Sequence, residues 1–282
     1  MPKRKLQGAI AAAVTPLGEG GLSLDLDAVG SLTTFLATAS IDGLLACGTT
    51  GEGVLLRVEE RMAVARAFVH AAPNGFAVAV HAGAQSTHDT VALAAHALEH
   101  GADAVAVIAP PYFRLDADEL FLHLLAAANA CDPLPFYAYE FAGRSGYAIP
   151  VPVIERLREA APNLAGLKVS DLTMEEVRPY LLEGLDVFIG SEPLVLAGMA
   201  EGAAGAVSGL ASAWPETIAS LVHQRDAAAR ERVVTLRDAL ASIPFHAALK
   251  HVLVERGVLL HGDVRAPLRS LTAAERERVA SL

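Results

Sequence analysis

Phe76-Ala77-Val78-Ala79-Val80-His81-Ala82-Gly83, the stretch from Ser86 to His100, and Ala104-Val105-Ala106-Val107-Ile108-Ala109-Pro110 follow one another in the chain, and their reading decides the fold. The first and last runs are short and apolar almost throughout. Strands of that kind are buried on both faces, which is the mark of a parallel sheet. Ser86 is a good N-cap for the stretch between them, which reads as a helix.

The same alternation extends in both directions. Further strands are read at Gly8–Pro16, Gly43–Gly48, Pro135–Phe141, Leu164–Ser170, Asp186–Gly190 and Gly205–Leu210. Helices are read at Asp25–Ala39, where Asp25 and Asp27 look like N-terminal charges, and at Arg57–Ala72, Asp116–Ala130, Pro152–Ala160, Met174–Leu182, Leu194–Glu201 and Pro215–His223. Eight strand–helix units match a (β/α)8 TIM barrel, with an open doubly wound sheet as the alternative. After residue 225 the alternation stops. Ala227–Ala241, Phe245–Arg256 and Ala273–Leu282 all read as helices. The expected organisation is a barrel with the active site over 1–225 and a C-terminal helical extension over 226–282.

Composition excludes several classes. Of 282 residues, 53% are hydrophobic, which rules out disorder, and the formal charge of −10 argues against nucleic acid as a partner. The apolar runs are short, and Asp103, Glu140 and Lys168 lie within or beside them, so no membrane span is expected. Cys47 and Cys131 are too few for a disulfide scaffold, and neither they nor the ten histidines show metal spacing. His96 and His100 read as surface residues. The basic start of the chain is followed by no signal-peptide pattern, so a cytoplasmic protein is expected.

Functional residues of a βα barrel lie at the C-terminal ends of its strands. Cys47-Gly48-Thr49-Thr50-Gly51-Glu52-Gly53 follows the second strand; its hydroxyls and backbone N–H groups suit a small anion, or form an ordinary Gly/Thr turn. Lys168 lies inside an apolar strand in a chain with only four lysines. A desolvated lysine amine is a nucleophile for carbonyls, whereas a lysine at a strand end can also snorkel to solvent. Lys250 reads as a half-exposed helix residue. Tyr137 and Tyr139 share one face of the fifth strand, where a tyrosine can relay protons or simply pack the barrel. Arg144, in the loop beyond, either holds a carboxylate or is a solvated charge.

Taken together, these segments resemble the dihydrodipicolinate synthase / N-acetylneuraminate lyase family of class I pyruvate-dependent aldolases. The shared motifs are Gly48-Thr49-Thr50-Gly51-Glu52, Tyr139 followed by Arg144-Ser145-Gly146, Gly166-Leu167-Lys168, and Gly205-Ala206-Val207-Ser208. The resemblance covers nearly the whole chain. It implies that Lys168 forms a Schiff base with a 2-keto acid such as pyruvate, that Tyr139 shuttles protons, and that Thr49 and Thr50 bind the carboxylate, with Val207 also at the substrate. It implies no metal or organic cofactor, an aldehyde as second substrate, and a homotetramer built from dimers.

The chain also departs from the family. Phe113, after Tyr112, takes the place of the lysine-pathway synthase's second tyrosine, which reaches the neighbouring subunit's site. Glu140 and Ala142 replace an Asn and a Pro on what is expected to be the same pocket wall. Glu192 stands where the family often has Asp, as a contact for a hydroxylated tail or a helix cap. Arg144 matches the arginine with which the synthase holds its aldehyde's carboxylate. The expected function is a lyase, an aldolase or dehydratase of 2-keto-3-deoxy sugar acids or 4-hydroxy-2-oxo acids. The alternatives are dihydrodipicolinate synthase itself and a catalytically silent 2-keto-acid-binding protein; the latter would need neither Lys168 nor Tyr139.

Overall fold

In the computed structural model, which describes residues 5–282, the eight apolar runs become eight parallel strands. They are β1 (Gly8–Ala12), β2 (Gly43–Ala46), β3 (Ala77–His81), β4 (Ala104–Ile108), β5 (Phe136–Glu140), β6 (Leu164–Val169), β7 (Asp186–Ile189) and β8 (Gly205–Ser208). They pair in chain order, and β8 returns to β1, with Gly8 opposite Gly205, so the sheet is a closed barrel and not the open alternative. Between them run α1 (Ala28–Thr38), α2 (Val58–Ala71), α3 (Thr87–Glu99), α4 (Ala117–Ala130), α5 (Ala142–Ser145), α6 (Val151–Ala160), α7 (Met174–Val177), α8 (Val195–Ala200) and α9 (Pro215–Ala219). The C-terminal helices are α10 (Ala227–Leu240), α11 (Phe245–Glu255) and α12 (Ala273–Ala280). No described helix is long and apolar enough to cross a membrane.

Strand alternation divides the core into two. Ile10, Ala12, Leu45, Ala79, Ala106, Tyr137, Phe188 and Val207 face the barrel axis. Ala11, Leu44, Val78, Val80, Val105, Val107 and Leu167 face the surrounding helices. The axis explains the alanine-rich strands. Tyr137 and Phe188 meet edge to face at 5.8 Å and fill it, leaving room for little but methyl groups elsewhere. Tyr137 is therefore a packing residue at the barrel floor, where its hydroxyl accepts a hydrogen bond from the Leu6 amide at 3.1 Å.

The helix starts follow capping chemistry. Ser86 Oγ accepts from the Asp89 amide at 3.0 Å, and Asp116 Oδ1 accepts from Asp118 and Glu119. The helix read over residues 174–182 is interrupted: α7 gives way to a 3₁₀ turn at Arg178–Tyr180. Pro179 supplies no N–H to continue the α-helical ladder there.

Two surface assignments are corrected by packing. Lys250 is fully buried on the barrel-facing side of α11, with Nζ 2.6 Å from Glu52 Oε1 and donating to the Asp263 carbonyl at 2.8 Å. Desolvation pushes its pKa down, and the Glu52 carboxylate opposes that shift. His96 is buried where α3 meets α2, its Nε2 3.1 Å from Arg66 Nη1, and burial lowers its pKa. Neither partner is a sequence neighbour, so neither burial follows from helical spacing alone.

Glu140, the last residue of β5, faces outward from the barrel and is completely buried. Its Oε1 accepts from the Ala142 amide at 2.8 Å and its Oε2 from the Ile149 amide at 2.6 Å. It ties the loop after β5 back to its strand. Burial raises its pKa to about 7, helped by the nearby Asp171 and opposed by the two amides.

Two measurements test these assignments. Lys250→Met leaves Glu52 buried without its cation and should destabilise the fold by about 3–5 kcal/mol in chemical denaturation. Adding Glu52→Gln should recover part of that loss, and equal stability of Lys250→Met and wild type would contradict the buried pair. For Glu140, the raised pKa means that the folded state holds a proton the unfolded chain has already lost between about pH 4.5 and 7. Its contribution is therefore present at low pH and is lost as pH rises through that window. The stability of wild type relative to Glu140→Gln should fall by on the order of 2–3 kcal/mol from pH 4.5 to 7.5. A pH-independent difference would contradict it.

Candidate active site

Lys168 and Tyr139 are the penultimate residues of β6 and β5, and they stand opposite each other in register. A β-bulge makes this possible. Phe136 pairs with Leu164 but Tyr137 pairs with Gly166, so Ala165 is an extra residue in β6. Leu164 and Leu167, three apart, both face the helices, while Lys168 turns inward. Gly166 is required beside the bulge, since a Cβ there would lie 1.9 Å from the Asp186 carbonyl oxygen. Lys168 Nζ sits 4.0 Å from the centre of the Tyr139 ring, and both residues are buried. The amine thus meets an aromatic face and the residue whose phenol can carry a proton.

The Thr49-Thr50 segment is folded tightly at the end of β2. Cys47 and Glu52 both adopt left-handed backbone angles, with φ of 57° each, and the Gly53 amide donates back to the Gly48 carbonyl at 3.1 Å. A Cβ on Gly53 would lie 1.9 Å from the Cys47 carbonyl oxygen, so glycine is obligatory. Thr49 Oγ1 lies 3.1 Å from the Tyr139 hydroxyl. Helix α11 holds this turn from outside through two residues one turn apart. His246 Nε2 meets the Thr49 carbonyl at 3.0 Å, and Lys250 pairs with Glu52.

The seven residues expected to catalyse or to bind substrate line one cavity of about 460 Å³: Thr49, Thr50, Tyr139, Arg144, Lys168, Glu192 and Val207. Thr50, Val207 and Glu192 are buried; Arg144 is exposed at the rim, its guanidinium 5.7 Å from the Phe141 ring. Glu192 is engaged by the protein itself. Its Oε1 accepts from Ser208 Oγ at 2.8 Å and the Leu210 amide at 3.1 Å, and its Oε2 pairs with Arg237.

Glu140 and Ala142 do not line this cavity, contrary to expectation. Strand alternation sends the residue after the inward Tyr139 to the outer face. Phe113 and Tyr112 lie exposed after β4, in edge contact at 5.0 Å.

Several residues at the site escaped the sequence reading. His81 meets Tyr139 edge-on at 5.8 Å, and burial together with the charges of Arg61 and Lys168 holds its pKa far below the usual histidine range, keeping it neutral. Its place at the end of β3 was the available signal. Arg237, Phe245 and His246 come from α10 and α11, where nothing in the local pattern marks them as functional.

The dihydrodipicolinate synthetase family model matches residues 5–282. A 4-hydroxy-tetrahydrodipicolinate synthase of Sorangium cellulosum is 31% identical, over 99% of this chain and 96% of that one. An uncharacterized DapA-like lyase of Halobacterium salinarum is 33% identical over 96% and 91% of the two chains. Among solved structures, the Proteus mirabilis N-acetylneuraminate lyase superposes with a TM-score of 0.89 at 30% identity, over 99% and 97% of the two chains. The chain belongs to the dihydrodipicolinate synthetase family of class I aldolases and lyases.

Proposed function

We propose that this chain is a cytoplasmic Schiff-base lyase acting on pyruvate and related 2-keto acids, an aldolase or dehydratase of 2-keto-3-deoxy sugar acids or 4-hydroxy-2-oxo acids. The observation that carries the reading is Lys168, a buried amine 4.0 Å from the Tyr139 ring, in a cavity that also holds Thr49 and Thr50.

In this mechanism the keto acid's carboxylate accepts hydrogen bonds at Thr49-Thr50, which places C2 at the Lys168 amine. The amine adds to C2, and the resulting hydroxyl leaves as water to give an iminium. Tyr139 supplies and recovers the protons of these steps, its hydroxyl oriented by Thr49 Oγ1 at 3.1 Å. In cleavage, the C3–C4 bond breaks and its electrons move into the iminium. The C4 hydroxyl loses its proton as the aldehyde departs, the enamine is protonated at C3, and water releases pyruvate. Run backwards, the enamine adds to an aldehyde; in dehydration, C3 loses a proton as its C–H electrons move into the iminium, and the enamine so formed expels the C4 hydroxyl, which takes up a proton and leaves as water.

Arg144 favours a second reading, the dihydrodipicolinate synthase reaction. Its guanidinium lines the cavity with no ion-pair partner among the described residues, and it matches the synthase arginine for the aldehyde's carboxylate. The assembly we propose is the homotetramer typical of the family, with the exposed Tyr112 and Phe113 at a subunit contact.

Borohydride reduction with pyruvate should add one pyruvate-derived mass to the peptide containing Lys168, and Lys168→Arg should abolish it. An adduct on Lys250 instead, or none with any 2-keto acid, sinks the reading. Tyr139→Phe should slow turnover by about 10²–10⁴-fold with the fold intact. Thr50→Val should raise the pyruvate KM at least about tenfold, since a charge-assisted hydrogen bond contributes roughly 1.5–3 kcal/mol. Unchanged pyruvate binding would reduce the Thr49-Thr50 segment to a turn. To separate the two readings, condensation with aspartate semialdehyde is compared with cleavage of 2-keto-3-deoxy acids on one preparation. Dominant condensation would favour the synthase.

A further inference from the structure

We infer, resting on the lyase reading above, that Arg237 is the specificity-determining residue for the substrate beyond the scissile bond. It selects aldehydes whose far end is a carboxylate or phosphate over neutral polyhydroxylated ones, which narrows the sugar acids of that reading to those with a second acidic group at the far end.

The argument starts from Glu192, the one carboxylate lining the cavity. A carboxylate has about four acceptor positions. Here four donors occupy them: Ser208 Oγ, the Leu210 amide, and Nε and Nη2 of Arg237. The residue whose position suggests a contact for sugar hydroxyls is thus fully bonded within the protein, and only 1% of it is exposed.

Arg237 has capacity left. Its side chain is 33% exposed and lines the cavity, and Nη1 makes no hydrogen bond to the described residues. Glu192 on one side and the Phe245 ring, 4.6 Å from the guanidinium carbon, on the other fix its plane. Arg144, at the rim of the same cavity, is likewise a donor only. Apart from hydroxyls and Nδ1 of His246, no side chain on these walls offers a free acceptor. A neutral polyol brings several O–H donors, for which the two guanidinium groups offer no acceptor and only those hydroxyls and the one ring nitrogen remain among the side chains. A carboxylate or phosphate brings acceptors alone and meets fixed guanidinium donors suited to it.

The test uses the full-length enzyme, pyruvate and three aldehydes: glyceraldehyde, glyceraldehyde 3-phosphate and succinate semialdehyde. The expected kcat/KM is at least tenfold higher with one or both anionic aldehydes than with glyceraldehyde, and their ratio tells phosphate from carboxylate. In Arg237→Gln, which unpairs Glu192, the anionic-to-neutral ratio should fall at least tenfold. Arg237→Gln combined with Glu192→Gln removes both charges, serves if the single variant does not fold, and should also collapse the ratio. A wild-type enzyme that prefers glyceraldehyde, one that turns over no anionic aldehyde while pyruvate is trapped on Lys168, or a ratio that survives both variants overturns the inference. Absence of the pyruvate adduct itself overturns the lyase reading instead.

Discussion

Tyr139 and Lys168 face one another inside the barrel because β6 carries one residue more than β5 across their pairing. Side chains alternate faces along a strand, so a shift of one residue exchanges inside for outside. Were Ala165 paired in regular register and not bulged, Leu167 would stand opposite Tyr139 and point into the cavity, and Lys168 would stand opposite the outward Glu140 and point at the helix layer. The bulge demands close strand approach below it, which Gly166 alone permits against the Asp186 carbonyl. The floor is then sealed by Tyr137 and Phe188, and the amine stands at the top of a packed column. The site's chemistry depends on this register.

Around that pair the protein arranges charge with little redundancy. The turn that offers Thr49 and Thr50 is held by α11 through His246 and through a buried ion pair between Lys250 and Glu52. Removing either ion would strand the other in an apolar setting. The C-terminal helices therefore do more than cover the barrel: they fix the turn and place Arg237 and Phe245 on the cavity wall. His81 stays neutral under the combined influence of burial, Arg61 and Lys168, so it adds no further cation beside the amine.

Much of this was legible in the sequence. Runs such as 76–83 and 104–110 are apolar at nearly every position, and Ser86 caps the helix between them, so the elements and their parallel pairing followed from local pattern, while the choice of a closed barrel over an open sheet leaned partly on the family resemblance. Lys168 stood out because lysine is rare in this chain. What stayed hidden depends on contacts between distant segments. The burial of Lys250 is decided by Glu52, that of His96 by Arg66, and the bonding of Glu192 by Arg237. Helical periodicity at those positions carries no trace of the partner. The reading of Glu140 as a pocket residue failed for a local reason: alternation after an inward Tyr139 already points it outward, where it secures the loop to Ile149.

The central claim is that the amine of Lys168, and no other, attacks a 2-keto acid whose carboxylate rests on Thr49 and Thr50. A crystal structure of the enzyme grown with pyruvate tests this most directly. The account predicts continuous density from Lys168 Nζ to C2 of pyruvate, with the carboxylate within hydrogen-bond distance of both threonines and the Tyr139 hydroxyl beside C2. Pyruvate bound elsewhere, or lying unbonded beside an unmodified Lys168, would contradict it.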